Sequence, residues 1–183
     1  MSSLALRFCH HTALTKPCRV YKVEGKPYLE RYFLLEALGI RFYLHRFVDG
    51  DHSESFHHHP WPWSFALVLC GGYREERLLN AISQGRTISP RAMQIRVRNL
   101  KPGRFNLIGS KTLHRIEAPL PGTWTLFIHA SRKTQRWGQL VPAEDGRLVI
   151  EQVGTLGKSD WEHDVPLGAD HPDRQPFIID YAK

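Results

Sequence analysis

FHHHPWPWSFALVLCGGY, residues 56–73, is the stretch on which the fold turns. Phe56 to His59 reads as a short strand stopped by Pro60 and Pro62. Residues i and i+2 of a strand project from the same face. His57 and His59 can therefore reach one point, while His58 faces the other way. A purification tag does not account for this run, because it is internal, short and followed by Pro60-Trp61. Ser64 to Cys70 is a near-continuous apolar strand. Gly71-Gly72 turns it, and Tyr73 to Leu79 leads back.

Working upstream, Tyr32, Phe33, Phe42, Tyr43 and Val48 favour strands over a helix, and Leu38-Gly39 can make the turn of a hairpin. Arg41 to Phe47 is its second strand, and Asp49-Gly50-Asp51 opens a polar loop. Downstream, residues 80–92 are a polar connection and Met93 to Val97 a strand. Arg104 to Ile108 follows the turn at Lys101-Pro102-Gly103. Leu113 to Glu117 follows Gly109-Ser110, and Thr123 to Ala130 is a further strand. Short strands at close spacing with Gly/Pro turns indicate an all-β sandwich or barrel. Residues 1–27 read as loosely ordered. The last third, rich in proline, reads as irregular, with short strands at Arg147 to Glu151 and Phe177 to Tyr181.

A length of 183 residues fits one domain, 1–183, with a barrel core over about 40–130 and a C-terminal segment over about 131–183. Hydrophobic residues at 42% and charged residues at 23% exclude wholesale disorder. No stretch approaches the roughly 18 uncharged apolar residues of a membrane helix. The N-terminus lacks the pattern of a secretory signal, so a soluble, cytoplasmic protein with no membrane partner is expected. The net charge of +7 favours phosphates or acidic small molecules. Arg91, Arg96, Arg98, Lys101 and Arg104 are interleaved with apolar residues, as on the outer face of strands. That argues against a nucleic-acid partner without excluding one. Cys9, Cys18 and Cys70 are odd in number and form no CxxC, against a disulfide framework or a zinc–thiolate site.

Two imidazoles on one strand face begin a site for iron, manganese, nickel, copper or zinc. A third ligand must come from a neighbouring strand, and His114, just after a glycine turn, is the best candidate. The spacing His57-x-His59, four residues, Ser64, six residues, Gly71 reproduces the first motif of the cupin superfamily. Gly103, five residues, Gly109, one residue, Lys111, two residues, His114 reproduces the second. Over about residues 40–130 the chain resembles that superfamily. The implied fold is a cupin-type β-barrel or jelly roll, with N-terminal strands extending one sheet and an irregular C-terminal segment packed outside. The block around the histidines also looks like a group of bacterial and phage cupin-like proteins, which supplies no activity.

The departures from the pattern are informative. Ser64 stands where the superfamily usually has Glu, and cannot replace a carboxylate as a hard ligand. Gly109 and Lys111 stand for Pro and Gly, and Ala118 for Asn. The resemblance then implies a three-histidine centre on His57, His59 and His114, similar to that of thiol dioxygenases, with Fe(II) favoured over Mn, Ni, Zn or Cu. Three neutral ligands leave the metal its full charge and open positions for a small polar or anionic ligand, or for O2 plus substrate. The leading expectation is a non-haem metal-dependent dioxygenase. The rivals are a metal-dependent isomerase or lyase, a non-catalytic small-ligand-binding or regulatory cupin, and a nucleic-acid-associated protein. A homodimer would suit such a barrel.

Around this centre Tyr73 is the candidate catalytic phenol, if its ring faces the interior. Trp61 and Trp63 should lie near the site. His45 and His129 read as hydrogen-bonded core or rim groups, and Asp51 and His52 as solvated loop residues. Arg74, Arg96, Arg98 and Arg115 are candidates for clamping a substrate carboxylate, although strand parity turns Arg115 away from His114.

Overall fold

The computed structural model describes residues 3–49, 55–79, 87–117, 119–154, 156 and 161–177. It begins with a helix, α1 (Ser3–Thr15), and thirteen strands follow among the described residues. These are β1 (Cys18–Val23), β2 (Lys26–Ala37), β3 (Ile40–Phe47), β4 (His57–His58), β5 (Trp63–Cys70), β6 (Tyr73–Leu78) and β7 (Thr87–Ile88). Then come β8 (Ile95–Leu100), β9 (Phe105–Gly109), β10 (His114–Glu117), β11 (Thr123–Ala130), β12 (Trp137–Pro142) and β13 (Leu148–Val153). They form a six-stranded sheet, β1-β2-β3-β11-β5-β9, and a seven-stranded sheet, β7-β13-β12-β4-β10-β6-β8. Two curled antiparallel sheets enclosing an interior make a cupin-type barrel, with β1 and β2 extending one sheet at its edge.

Local chemistry explains the main elements. β2 and β3 are the expected hairpin, and Leu38 and Gly39 turn it with positive φ angles of 52° and 72°. β11 alternates between its neighbours, facing β3 on one side and β5 on the other. Its odd-numbered Thr125, Phe127 and His129 point inward and line a cavity, while Trp124 packs outward. At Gly71 (φ 72°) a Cβ would come within 2.9 Å of the Thr123 backbone, so the turn between β5 and β6 needs glycine there.

The chain departs from the sequence-based expectation at both ends. Residues 1–27, read as loosely ordered, contain α1 and β1. The helix has no acidic first turn and no basic last turn. Packing forms it instead: Cys9 and Ala13 are buried against Tyr32, Leu44 and Trp124 on the outer face of the first sheet. In the last third, read as irregular for its prolines, Trp137 to Pro142 forms β12. The expected strand at Arg147 to Glu151 appears as β13. Of the one at Phe177 to Tyr181, residues 178–181 lie outside the described residues, and so do Asp51, His52 and Ala118.

A buried ion pair holds the C-terminal segment to the outer face of the first sheet. Glu30 is fully buried and lies 3.1 Å from Arg46. It accepts hydrogen bonds from the Tyr32 hydroxyl at 2.6 Å and the Gln175 N–H at 2.7 Å. Arg46 donates in turn to the carbonyls of Gln175 and Pro176, each at 2.7 Å. Removing one partner leaves the other charged and desolvated, at a cost of about 3–5 kcal/mol. Glu30→Ala is therefore expected to lower the unfolding free energy by that order, seen as a lower urea midpoint, and to expose the segment after residue 161 to limited proteolysis. An unchanged midpoint would mean the pair contributes nothing net.

No helix among the described residues is long and apolar enough to cross a membrane. Cys9, Cys18 and Cys70 are free thiols. Burial pushes Cys9 up to about 11 and Cys18 up to about 12, which keeps both protonated.

Candidate metal centre

β4 is only two residues long, yet it lies between two longer strands. His57 sits directly opposite His114 of β10 on one side and Gln139 of β12 on the other. That pairing brings the second motif alongside the first. His59 extends from the same face two residues on. His57, His59 and His114 converge, each offering a ring nitrogen within 4.8 Å of the others. Nε2 of His59 and Nε2 of His114 are 2.9 Å apart. Two nitrogens bound at about 2.1 Å to one ion at a right angle would be separated by about 3 Å, so the donor set fits a transition metal.

His57 and His59 are held neutral, as ligands must be. His57 is pushed down to about 3, first by burial and then by the neighbouring His114. His59 is pushed well below the usual imidazole range by burial, with His114, His57 and Arg31 adding to the effect. His58 points the other way, as strand parity requires. It is buried beside Gly138, where its Nδ1 lies 2.9 Å from Gln135 Nε2.

Behind His114 lies a carboxylate that the sequence reading missed. Glu75 of β6 is 0% exposed, and its Oε1 is 3.0 Å from His114 Nδ1. The same carboxylate accepts from Asn106 Nδ2 at 2.7 Å and Arg77 Nε at 3.0 Å, with Arg98 at 3.3 Å. Burial alone would raise its pKa, but hydrogen bonds from His114, Asn106 and Arg77 bring it down to about 2. A carboxylate on Nδ1 fixes the imidazole so that Nε2 faces the centre. Ser64, by contrast, is fully buried and its hydroxyl donates to the Ile108 carbonyl at 3.5 Å. The carboxylate missing at residue 64 has thus no substitute there, and an acid enters from β6 behind a ligand instead. Tyr73 was the available signal: if Tyr73 faces inward, so does Glu75 two residues later.

The trio opens into a cavity of about 560 Å³. Aromatic rings wall it. Trp61 stacks on His59 at 5.6 Å, Trp137 lies 5.6 Å from His57, and Phe127 lies 5.8 Å from His59. Tyr73 is buried and lines the cavity beside Asn106 and His114. Burial raises its pKa, so the phenol stays protonated. His45 and His129 also line the cavity. His45 accepts from Arg31 and His129 stacks on Trp61 at 3.6 Å. Trp161, in a 3-10 turn at Trp161–His163, covers part of the mouth and stacks on Tyr43, while Glu162 holds Arg41 at 3.1 Å.

The expected arginine clamps are not in this cavity. Arg74 pairs with Glu76 and Glu117, and Arg98 with Glu75 and Asn106. Arg115, turned outward by parity, pairs with Glu76 and lies over the Phe56 ring. Arg96 is exposed on the edge strand β8. The arginines that do line the cavity are Arg19, Arg31 and Arg41, from β1, β2 and β3.

No family model matches the sequence, and no curated protein matches it significantly. Several solved structures are similar to it over part of its length. A cupin-2 domain from Rhodospirillum rubrum is 18% identical, over 72% of this chain and 78% of that one, with a TM-score of 0.48. A cupin 2 conserved barrel domain protein from Rhodopseudomonas palustris is 12% identical, over 72% and 80%, with a TM-score of 0.49. HEPD from Streptomyces albus, solved with 2-hydroxyethylphosphonate and Fe(II) bound, is 10% identical, over 63% of this chain and 24% of that one, at 0.47. The fold is a β-barrel of the cupin type, with a cluster of three histidines in its interior.

Proposed function

We propose that the chain is a metal-dependent enzyme of the cupin class, a non-haem dioxygenase acting on a small polar or anionic molecule. The observation that carries this reading is the convergence of three imidazoles in an aromatic-walled cavity. His57, His59 and His114 would hold the metal, with Fe(II) as first choice. Bound there, it supplies a Lewis-acidic, redox-active centre with positions left open by only three protein ligands. Both atoms of O2 enter the product in a dioxygenation, so no external reductant is required.

The chain's own side chains do the rest. Glu75 orients His114. Trp61, Phe127 and Trp137 exclude water and offer flat surfaces to the substrate. Tyr73, kept protonated by burial and lining the cavity, would donate a hydrogen bond to bound substrate. With Fe(II)-loaded protein and small organic acids, oxygen uptake is expected in the parent and not in His57→Ala/His114→Ala. Tyr73→Phe is expected to keep its iron while kcat falls by about 10²-fold, the usual size of one general-acid or hydrogen-bond contribution. Turnover of substrate without oxygen uptake would replace the dioxygenase with an isomerase or lyase.

A further inference from the structure

Among the described residues, the charged side chains that line the cavity are of one sign. The lining contains Arg19, Lys22, Arg31, Arg41 and Lys133, and no described Asp or Glu. Two of these cations are compensated from outside the lining. Lys22 lies 2.8 Å from Asp173, and Arg41 lies 2.8 Å from Glu36 and 3.1 Å from Glu162. Arg31 is different. Its Nε donates to His45 Nε2 at 2.8 Å and its Nη1 to the Tyr21 hydroxyl at 3.2 Å, both neutral groups. Its Cζ lies over the rings of Tyr21, Tyr43 and Phe127, at 5.2, 5.2 and 5.4 Å. Among the described residues no carboxylate meets this half-buried guanidinium, and Nη2 has no hydrogen bond. Aromatic faces and neutral acceptors hold such a charge in place but do not neutralise it.

A second group in the cavity wall also lacks its partner. His129 is buried, and its Nδ1 lies 2.8 Å from the Ala130 carbonyl, which can only accept. Nδ1 therefore carries the proton and Nε2 the lone pair. Among the described residues Nε2 has no hydrogen bond. The Phe127 ring relates both groups to the metal centre: Arg31 lies 5.4 Å from it, His129 5.7 Å and His59 5.8 Å.

We propose that the substrate is an organic monocarboxylate carrying a hydroxyl or amine, its carboxylate on Arg31, its hydrogen-bond donor on His129 Nε2 and its apolar body along Phe127 towards the three histidines. Arg19 is exposed to water, whereas Arg31 is half-buried and meets no carboxylate among the described residues; its planar guanidinium matches a planar monoanion, which it can grip by two parallel hydrogen bonds. Arg31 and His129 are then positioning and specificity residues for the site proposed above. The inference rests on reading that cavity as a small-molecule site, though not on the identity of the metal.

Calorimetric titration of the metal-free protein tests it, with mandelate, phenylacetate, mandelamide and phenylphosphonate as probes. Mandelate is expected to bind at least about tenfold more tightly than neutral mandelamide, and about threefold or more above phenylacetate, which lacks the hydroxyl. Arg31→Gln is expected to remove the first preference, and His129→Phe, which keeps the aromatic stack, the second. Arg31→Lys, which keeps the charge, recovers part of the carboxylate affinity. Equal affinity for mandelate and mandelamide, or undetectable mandelate binding, would overturn the proposal. So would phenylphosphonate binding better than the carboxylates, or anion affinity unchanged in Arg31→Gln with a parent-like melting temperature. Should Arg31→Gln not fold, the probe ranking on the parent and His129→Phe still decides. Since no metal is present, a failure here is distinct from a failure of metal loading.

Discussion

Untagged protein loaded anaerobically with Fe(II) should hold about one equivalent of iron, and the His57→Ala/His114→Ala variant essentially none. Losing a group that only hydrogen-bonds a ligand costs about 10–100-fold in metal affinity, so losing two of three direct ligands should cost far more. The trio is preorganised: His57 and His114 are fixed by direct strand pairing, and His59 by its stack on Trp61. Burial keeps His57 and His59 unprotonated, so little proton competition opposes the metal at neutral pH. His58→Ala is the informative control, because His58 belongs to the same triplet but projects to the opposite side. It should retain iron, whereas a loose, tag-like polyhistidine would lose affinity with any of the three. Elemental analysis of all three proteins decides. No metal in the parent after Fe(II) loading would remove the enzyme reading and leave the barrel as a ligand-binding scaffold. Copper or nickel could displace iron in a competition, since affinity follows the order of the metals rather than the needs of the chemistry.

What could be read in advance was whatever local spacing determines. The two-residue period put His57 and His59 on one face and His58 on the other, and glycines at 71, 103 and 109 framed strands that now pair as β5, β6, β9 and β10. The trio itself was legible because two separated motifs agreed in order. Three features were not legible, each for a stated reason. α1 packs Cys9 and Ala13 against Tyr32 and Trp124, a tertiary effect, and it has no acidic first turn or basic last turn to announce it. β12 is stabilised by pairing with both β4 and β13, which outweighs its glycine and terminal proline. Arg31 lies in a strand whose sequence gives no hint that its inner face meets the cavity. Of the arginines chosen from sequence, Arg74, Arg98 and Arg115 are paired with Glu75, Glu76 and Glu117, and Arg96 is exposed on β8. Charge pairing across strands depends on register, which a single sequence does not disclose.

Glu75 tests whether the centre depends on what lies behind its ligands. Glu75→Gln keeps the shape and a hydrogen-bond acceptor but removes the charge facing His114 Nδ1. Metal affinity is expected to fall by about 10–100-fold, the range seen when a carboxylate behind a ligating histidine is lost. The same substitution deprives Arg77 and Arg98 of their anion. Their side chains are 19% and 35% exposed, so water screens part of the loss. A destabilisation of about 2 kcal/mol is expected, below the range for fully buried pairs. Glu75→Asp separates the two effects. It keeps the negative charge near the arginines but withdraws it from His114 by one methylene, so stability should largely recover while metal affinity should not. Equilibrium denaturation of the metal-free proteins reads the first quantity and competition with a chelator of known affinity reads the second. If the two recover together in Glu75→Asp, Glu75 acts only by holding the barrel together. If they part, the carboxylate aims His114, and the loss of a ligand at residue 64 is offset by control of a ligand from β6.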